Sequence, residues 1–538
     1  MTPNSIYLPL APPSYAQPLS HELLGLSIEG DRFEDWTGPL GHANAYTHQA
    51  LRNSQRGQAL LVRSADSQDK YRLTQDVRTA LVALAHPPSE RTPYPEPAMN
   101  GVQIGPDYFA LAQNLPEKTK LTIGLNLRSQ DEKETLAQAA LLVSYAHVKP
   151  FSRSVTDAKY LYSVTFHGSR KEEMKNVELE LVTIGNEASN PLQYKGSYQH
   201  SFLPLQPDLY EVPSFHRVGP PSWSPFAYVA QTARLAPLVS RVLQDDVKFQ
   251  IGNITGFFKD REEWVPRTIL GTGLMQEQVF KKMTVYSSHM YLGDLKAASG
   301  SLMNKTFIRQ MIRHWSEYRP IIEAAGLEFR IGETNSLARG GVPGISNAAE
   351  AAIWLVDYAL HAATLGIKRL HFHHRIGQSY NWFDPIPITG ISGGTAADAH
   401  DAPSIHAPYY GALVVAEAIG STSTDTMIVE LASIIPHISA FGIYESGQLS
   451  RAVFVDSEVY VDPNTPRWRT RVELRGMATK AMRLRRLYAP MTTSTSGLAW
   501  AGQSYETADF VATGALVEDK LKGNLLEIAA SEVVLVLL

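Results

Sequence analysis

The chain has 538 residues, too many for one ordinary core, so a large domain with a smaller companion is expected. Its 49 basic and 53 acidic residues leave a net charge of −4, which offers no binding field to nucleic acid or an anionic membrane. Cysteine is absent, which removes disulfides, thiolate catalysis and Cys-based metal sites.

No apolar run approaches the roughly 20 residues that cross a bilayer. The longest, 533–538, is strand length. The opening Met1-Thr-Pro-Asn-Ser shows no basic region followed by an apolar stretch, so no signal peptide is visible. Two glycosylation sequons, Asn253-Ile-Thr and Asn304-Lys-Thr, matter only if the chain is secreted from a eukaryote.

From about residue 22 to 420, short apolar runs alternate with helical stretches. The runs are 23–28, 59–63, 121–127, 179–184, 247–251, 283–288, 327–331 and 367–372. Eight buried-looking strands separated mostly by helices predict a parallel β/α barrel or a doubly wound sheet. One clear helix spans 347–365, with Ile353, Val356, Leu360 and Ala363 at helical spacing and Gly366 beyond its end. A second has Pro408 in its first turn and is closed by Gly420. After Ser421-Thr-Ser-Thr the texture changes to short alternating segments at 452–455, 471–474 and 533–537, which read as an antiparallel β domain. Two Pro-rich connections stand out. Residues 86–97 read as extended, and 200–226 carry Phe202, Tyr210, Phe215 and Trp223, which suits a loop that contacts a ligand.

Two strand candidates end in a carboxylate: Ile184-Gly-Asn-Glu187 and Ile331-Gly-Glu333. In a barrel, residues at the C-terminal strand ends project into the catalytic mouth. Glycoside hydrolysis needs two such groups, one to protonate the leaving oxygen and one to attack carbon or activate water. The bland alternative is that each Glu accepts helix N-terminal amides or pairs with a surface base. His371, His373 and His374 invite a metal, but a strand puts only His371 and His373 on one face. Two imidazoles without a third ligand make a poor zinc site, so packed, hydrogen-bonded histidines and no metal are expected.

The motifs in order resemble glycoside hydrolase family 79, the β-glucuronidase and heparanase family. Ile331-Gly-Glu-Thr-Asn-Ser336 with Gly340, Gly341 and Pro343-Gly344 is similar to its nucleophile segment, and Ile184-Gly-Asn-Glu187 to its acid/base segment. Ser288-His289-Met-Tyr291 looks like its sixth strand and Lys368-Arg-Leu-His-Phe-His373 like its eighth. Pro408-Tyr-Tyr-Gly411 to Gly420 resembles its last barrel helix, Trp500 to Tyr505 a motif of its β domain, and Ser27-Ile-Glu29 its first strand. The sequence departs from the pattern at Ala188-Ser-Asn190, where relatives usually carry Pro-Asp.

The resemblance implies a (β/α)₈ TIM barrel over residues 22–420. A C-terminal antiparallel β-sandwich would follow over 421–538, joined by an N-terminal strand from residues 1–21. It implies a retaining exo-β-glucuronidase acting on a β-glucuronide, small or oligosaccharide, through a covalent intermediate, with no cofactor or metal. Glu187 would be the acid/base and Glu333 the nucleophile, with Asn186 bonding the sugar 2-hydroxyl. His289 and Tyr291 would line the −1 subsite, Tyr291 donating to the nucleophile. His373 and Gly377 match the uronate-recognition loop, and Tyr380 is a further donor beside it. Glu29 lies on the family-like first strand, while Arg375 and Arg339 are unusual additions at the same rim. A β-glucosidase or β-xylosidase of the same mechanism is the nearest alternative, and a catalytically silent carbohydrate-binding barrel is the rival from another class. The resemblance also implies secretion, with no nucleic-acid or membrane partner.

Overall fold

The computed structural model describes residues 4–55, 61–65, 72–73, 80–84, 97–105, 107–127, 131–145, 176–189, 223–243, 247–255, 263–293, 297–388, 400–420, 425–476, 482–521 and 523–538. Eight parallel strands close into a barrel: Leu24–Glu29, Leu61–Ala65, Thr119–Leu125, Val177–Ile184, Phe249–Ile254, Met283–Tyr291, Glu328–Asn335 and Leu370–His374. Each pairs with the next in sequence, and the eighth pairs with the first, Leu370 opposite Leu24. These are the eight expected strands, displaced by a few residues at their ends. The two topologies open at the sequence level are decided for the barrel. Every residue of Leu24–Glu29 and of Phe249–Ile254 is buried, because helices cover the outer face while side chains fill the inner one.

The expected helices are Ala349–Thr364 and Ala407–Ile419. Both are buried almost all round, since the barrel lies on one side and the β domain on the other. Gly411 lets them approach: a Cβ there would meet the Ala352 carbonyl oxygen at 2.4 Å.

Beyond the barrel, a mostly antiparallel sheet contains Thr426–Glu430, Ile438–Glu445, Gln448–Asp456, Glu532–Leu537 and Arg483–Tyr488. A smaller sheet holds Arg469–Arg475 and Leu525–Ala529. The chain begins here: Ser5–Tyr7 pairs parallel with Arg469–Arg475, and Gln17–Pro18 antiparallel with Thr426–Glu430. The run Val533 to Val536 shows why the larger sheet reads as continuously apolar. Val534 and Val536 enter the core between the two sheets, while Val533 and Leu535 join the core shared with the barrel. Both faces are buried, so alternation disappears.

The Trp500 motif acts at this junction. Trp500 Nε1 donates to Glu417 Oε2 at 2.8 Å, and the Tyr505 backbone N–H donates to the Tyr410 hydroxyl at 2.9 Å. Both partners lie on the last barrel helix.

A three-stranded sheet of Arg72–Leu73, Ala80–Leu84 and Pro97–Ile104, between the second and third barrel strands, was not expected. Its segments are too short to show a period. Residues 86–96 and 200–222 of the two long connections lie outside the described residues. Asn253 of the first sequon is fully buried, with its Nδ2 donating to Thr183 Oγ1 at 2.6 Å, so an oligosaccharide has no access to it in the folded chain. Asn304 of the second is exposed and accepts the Phe307 N–H at 3.0 Å as a helix cap.

Candidate active site

Parallel pairing sets His289 on the sixth strand opposite Glu333 on the seventh. Tyr291 follows two residues later and so shares the face of His289. The Tyr291 hydroxyl donates to Glu333 Oε1 at 2.6 Å, and His289 Nδ1 lies 3.5 Å from Glu333 Oε2.

Glu187 arrives from the end of the fourth strand through a turn in the left-handed region, with φ of 86° at Gly185 and 45° at Glu187. A left-handed conformation is strained for a residue with a side chain and persists where its surroundings enforce it. Two contacts do so. Asn253 Nδ2 reaches the Gly185 carbonyl at 3.4 Å, and Trp223 Nε1 donates to the Ala188 carbonyl at 2.9 Å. The result brings Glu187 Oε1 to 3.1 Å from His289 Nδ1. One carboxylate oxygen of Glu187, one of Glu333 and a ring nitrogen of His289 all lie within 4.8 Å of one another. Glu187 and Glu333 are 8% and 2% exposed.

Asn186 is buried beside Glu187. Across the pocket, Tyr380 is buried, stacks on Tyr291 with centroids 6.3 Å apart, and meets the His373 ring edge-on at 6.0 Å. Burial, followed by the nearby Glu333 carboxylate, pushes the Tyr380 phenol well above its usual range. It therefore stays a hydrogen-bond donor. His373 Nε2 lies 3.6 Å from Glu29 Oε2, and Asn335 Nδ2 donates to the carbonyls of His373 and Tyr380 at 2.9 and 3.2 Å. The end of the seventh strand is thereby tied to the rim that follows the eighth.

The remaining rim residues diverge. Arg375 points its guanidinium at the buried Asp31 carboxylate, 3.1 Å away, a partner that sequence reasoning missed because 344 positions separate them. Arg339 is exposed, at a left-handed φ of 62° that leads into Gly340 and Gly341. The Gly377 N–H donates to Asp384 Oδ1 at 2.9 Å and closes the turn after the eighth strand. That donor is already committed.

His371 and His374 of the eighth strand behave as packed side chains. His371 Nδ1 sits 3.4 Å from the Ile331 carbonyl. His374 Nδ1 lies 2.8 Å from the Phe372 carbonyl, and its Nε2 accepts the Trp382 N–H at 3.0 Å. Trp36, Trp382 and Phe383 surround that ring, and burial lowers its pKa from 6.5 to about 3. The donors that could hold a cation form two other groups among the described residues: Glu187, His289 and Glu333, and separately Asp384, His400 and His406. Nothing in the spacing of Asp384, His400 and His406 announces that group; only the fold assembles it.

Several known proteins are similar to this chain. Residues 440–535 match the model of the glycosyl hydrolase family 79 C-terminal beta domain. A β-glucuronidase of Neurospora crassa is 28% identical over 284 residues, an alignment covering 47% of this chain and 47% of the relative, which is under half the relative's length. A β-glucuronidase of Aspergillus niger is 23% identical over 525 residues, covering 92% of this chain and 84% of the relative. Among solved structures, a 4-O-α-L-rhamnosyl-β-D-glucuronidase from Fusarium oxysporum 12S, in complex with Rha-GlcA, superposes with a TM-score of 0.75 at 21% identity, covering 99% of this chain and all of that one. A family 51 α-L-arabinofuranosidase from Bifidobacterium longum follows at a TM-score of 0.59 and 12% identity, covering 100% and 99%, and shows the same barrel-plus-β architecture. With the β-domain match, the alignments along the chain and the paired strand-end glutamates together, the chain is similar to glycoside hydrolase family 79 along most of its length.

Proposed function

We propose that the chain is a retaining exo-β-glucuronidase. The observation that carries the mechanism is the approach of Glu187 and Glu333, with carboxylate oxygens within 4.8 Å. Retaining enzymes hold their two carboxyls about 5–5.5 Å apart, whereas inverting ones need about 6.5–9.5 Å to admit water. Glu333 attacks the anomeric carbon while Glu187 protonates the departing glycosidic oxygen, leaving a glycosyl ester on Glu333. Glu187, now a carboxylate, then takes a proton from water, which adds to the anomeric carbon and releases Glu333. Tyr291 orients the nucleophile, and His289, between the two acids, holds their separation. Asn186 bonds the 2-hydroxyl.

The preference for a uronate is supported by the β-glucuronidase relatives and by the donors gathered on one side of the pocket. A carboxylate removed from water needs a cation or hydrogen bonds. His373, Tyr380 and Arg375 supply them, with Asp31 fixing the guanidinium. We extend the reading to an extracellular enzyme; no helix among the described residues is long and apolar enough to cross a membrane.

The experiment is turnover of a chromogenic β-glucuronide and the matching β-glucoside by the wild type and by Glu333→Ala. Glucuronide turnover well above glucoside turnover, abolished in the variant, supports the reading. Equal rates would transfer it to a β-glucosidase, and no turnover of any glycoside would leave a binding barrel.

A further inference from the structure

The second group of metal-ligating side chains lies away from the catalytic glutamates. The short strand Phe383–Asp384 pairs antiparallel with Ser404–Ile405, which sets Asp384 opposite Ser404. His406 follows two residues later. His406 Nε2 stands 3.2 Å and His400 Nε2 3.5 Å from the same atom, Asp384 Oδ2. Ser404 Oγ lies 2.7 Å from His400 Nε2 and 3.3 Å from His406 Nε2.

The two oxygens of Asp384 differ. Oδ1 accepts the Gly377 N–H at 2.9 Å and the Asn381 Nδ2 at 2.8 Å. Oδ2 is buried and, among the described residues, accepts no hydrogen bond, although two imidazole nitrogens stand beside it. Asp384 is 1% exposed. A buried carboxylate oxygen without a donor is costly unless a cation meets it.

We propose that Asp384 Oδ2, His400 Nε2 and His406 Nε2 hold a structural divalent cation of the zinc class, with a water in the fourth position. Tetrahedral coordination at bond lengths of about 2.0–2.2 Å separates neighbouring ligand atoms by about 3.3–3.5 Å. The observed separations of 3.2 and 3.5 Å lie within about 0.1 Å of that spacing. Two imidazoles with one carboxylate also favour zinc over the hard, oxygen-seeking cations. The expectation of no metal, drawn from His371 to His374, does not reach this group, whose members meet only through the fold.

The site ties Asp384 to residues 400–406. Through Asp384 Oδ1 and the Gly377 N–H it also braces the turn that presents Arg375 and Tyr380 to the pocket. The cation therefore holds structure and enters no chemical step.

The test uses the full chain, stripped with a chelator and titrated with Co²⁺. One equivalent is expected to give the intense visible bands of tetrahedral cobalt, to be displaced by Zn²⁺, and to raise the melting temperature by several degrees. His400→Ala and His406→Ala should each lose the spectrum. Glu333→Gln should keep it, which separates this site from the Glu187–His289–Glu333 group. Far-UV circular dichroism checks that each variant folds, and the wild-type titration decides even where one does not. A wild-type chain with neither spectrum nor thermal shift overturns the proposal, as does a spectrum that survives both histidine changes or vanishes in Glu333→Gln. None of these readouts depends on glycosidase activity.

Discussion

Tyr291 and Glu333 meet across adjacent barrel strands, the tyrosine hydroxyl donating to one carboxylate oxygen at 2.6 Å. A donor of this kind favours the charged carboxylate that a nucleophile must be. Tyr291→Phe should lower kcat by about 10- to 100-fold, the worth of a hydrogen bond to a charged group. It should also move the acidic limb of the kcat/KM profile to higher pH, because the Glu333 carboxylate loses a stabilising partner. A reduced rate with an unmoved limb would assign Tyr291 to sugar binding instead.

The two glutamates should separate by leaving group. Glu333→Ala is expected to abolish turnover of every substrate. Glu187→Ala should slow a glucuronide with a poor leaving group far more than one with an activated aryl group, since a good leaving group needs little protonation. Rates of a substrate series plotted against leaving-group pKa provide the check. An equal slowing across the series would remove Glu187 from the acid role.

Arg375 and Arg339 make a matched pair of tests. Arg375, anchored on Asp31, should lower kcat/KM for glucuronides by about 10- to 100-fold when changed to Ala, with the glucoside unaffected. The exposed Arg339 should tolerate the same change within about twofold, as surface substitutions usually do. If both substrates weaken together in Arg375→Ala and the melting temperature falls, Arg375 serves only to neutralise buried Asp31.

Glu350 introduces a pH dependence into stability. It lies in the first turn of the helix Ala349–Thr364, fully buried, and both its oxygens accept the Gly300 N–H at 3.0 Å. Burial raises its pKa from 4.5 to about 7. The fold thus favours the protonated acid: its contribution is fully present below pH 4.5 and is lost as pH rises through about 7. Buried Asp456, also raised to about 7, acts in the same direction. Glu350→Gln should flatten the fall in melting temperature over that window. A slope identical to the wild type's would show that the carboxyl does not titrate there.

Gly411→Ala tests the seam between the last two barrel helices. Helix propensity favours alanine by about 1 kcal/mol. A Cβ at this position would stand 2.4 Å from the Ala352 carbonyl oxygen, so the helices must part. Overpacking of this kind costs roughly 1–3 kcal/mol or more, and the net effect should be a lower denaturation midpoint.

The sequence by itself determined the eight strand positions, the two covering helices, the change of texture near residue 421 and the pair of strand-end glutamates. Each of these is local: an apolar run, a helical period, a glycine stop, an Asn-Glu or Gly-Glu after a strand. Barrel closure, which a doubly wound sheet shares every local signal with, required the pairing of Leu370 with Leu24. Tertiary structure alone also decided who faces whom. Arg375 finds Asp31 and Gly377 gives its N–H to Asp384, while His400 and His406 converge on that same carboxylate. Partners hundreds of residues apart, or joined through a two-residue strand, leave no period in the chain. They are set by the register and curvature of the closed sheet, which only the complete fold supplies.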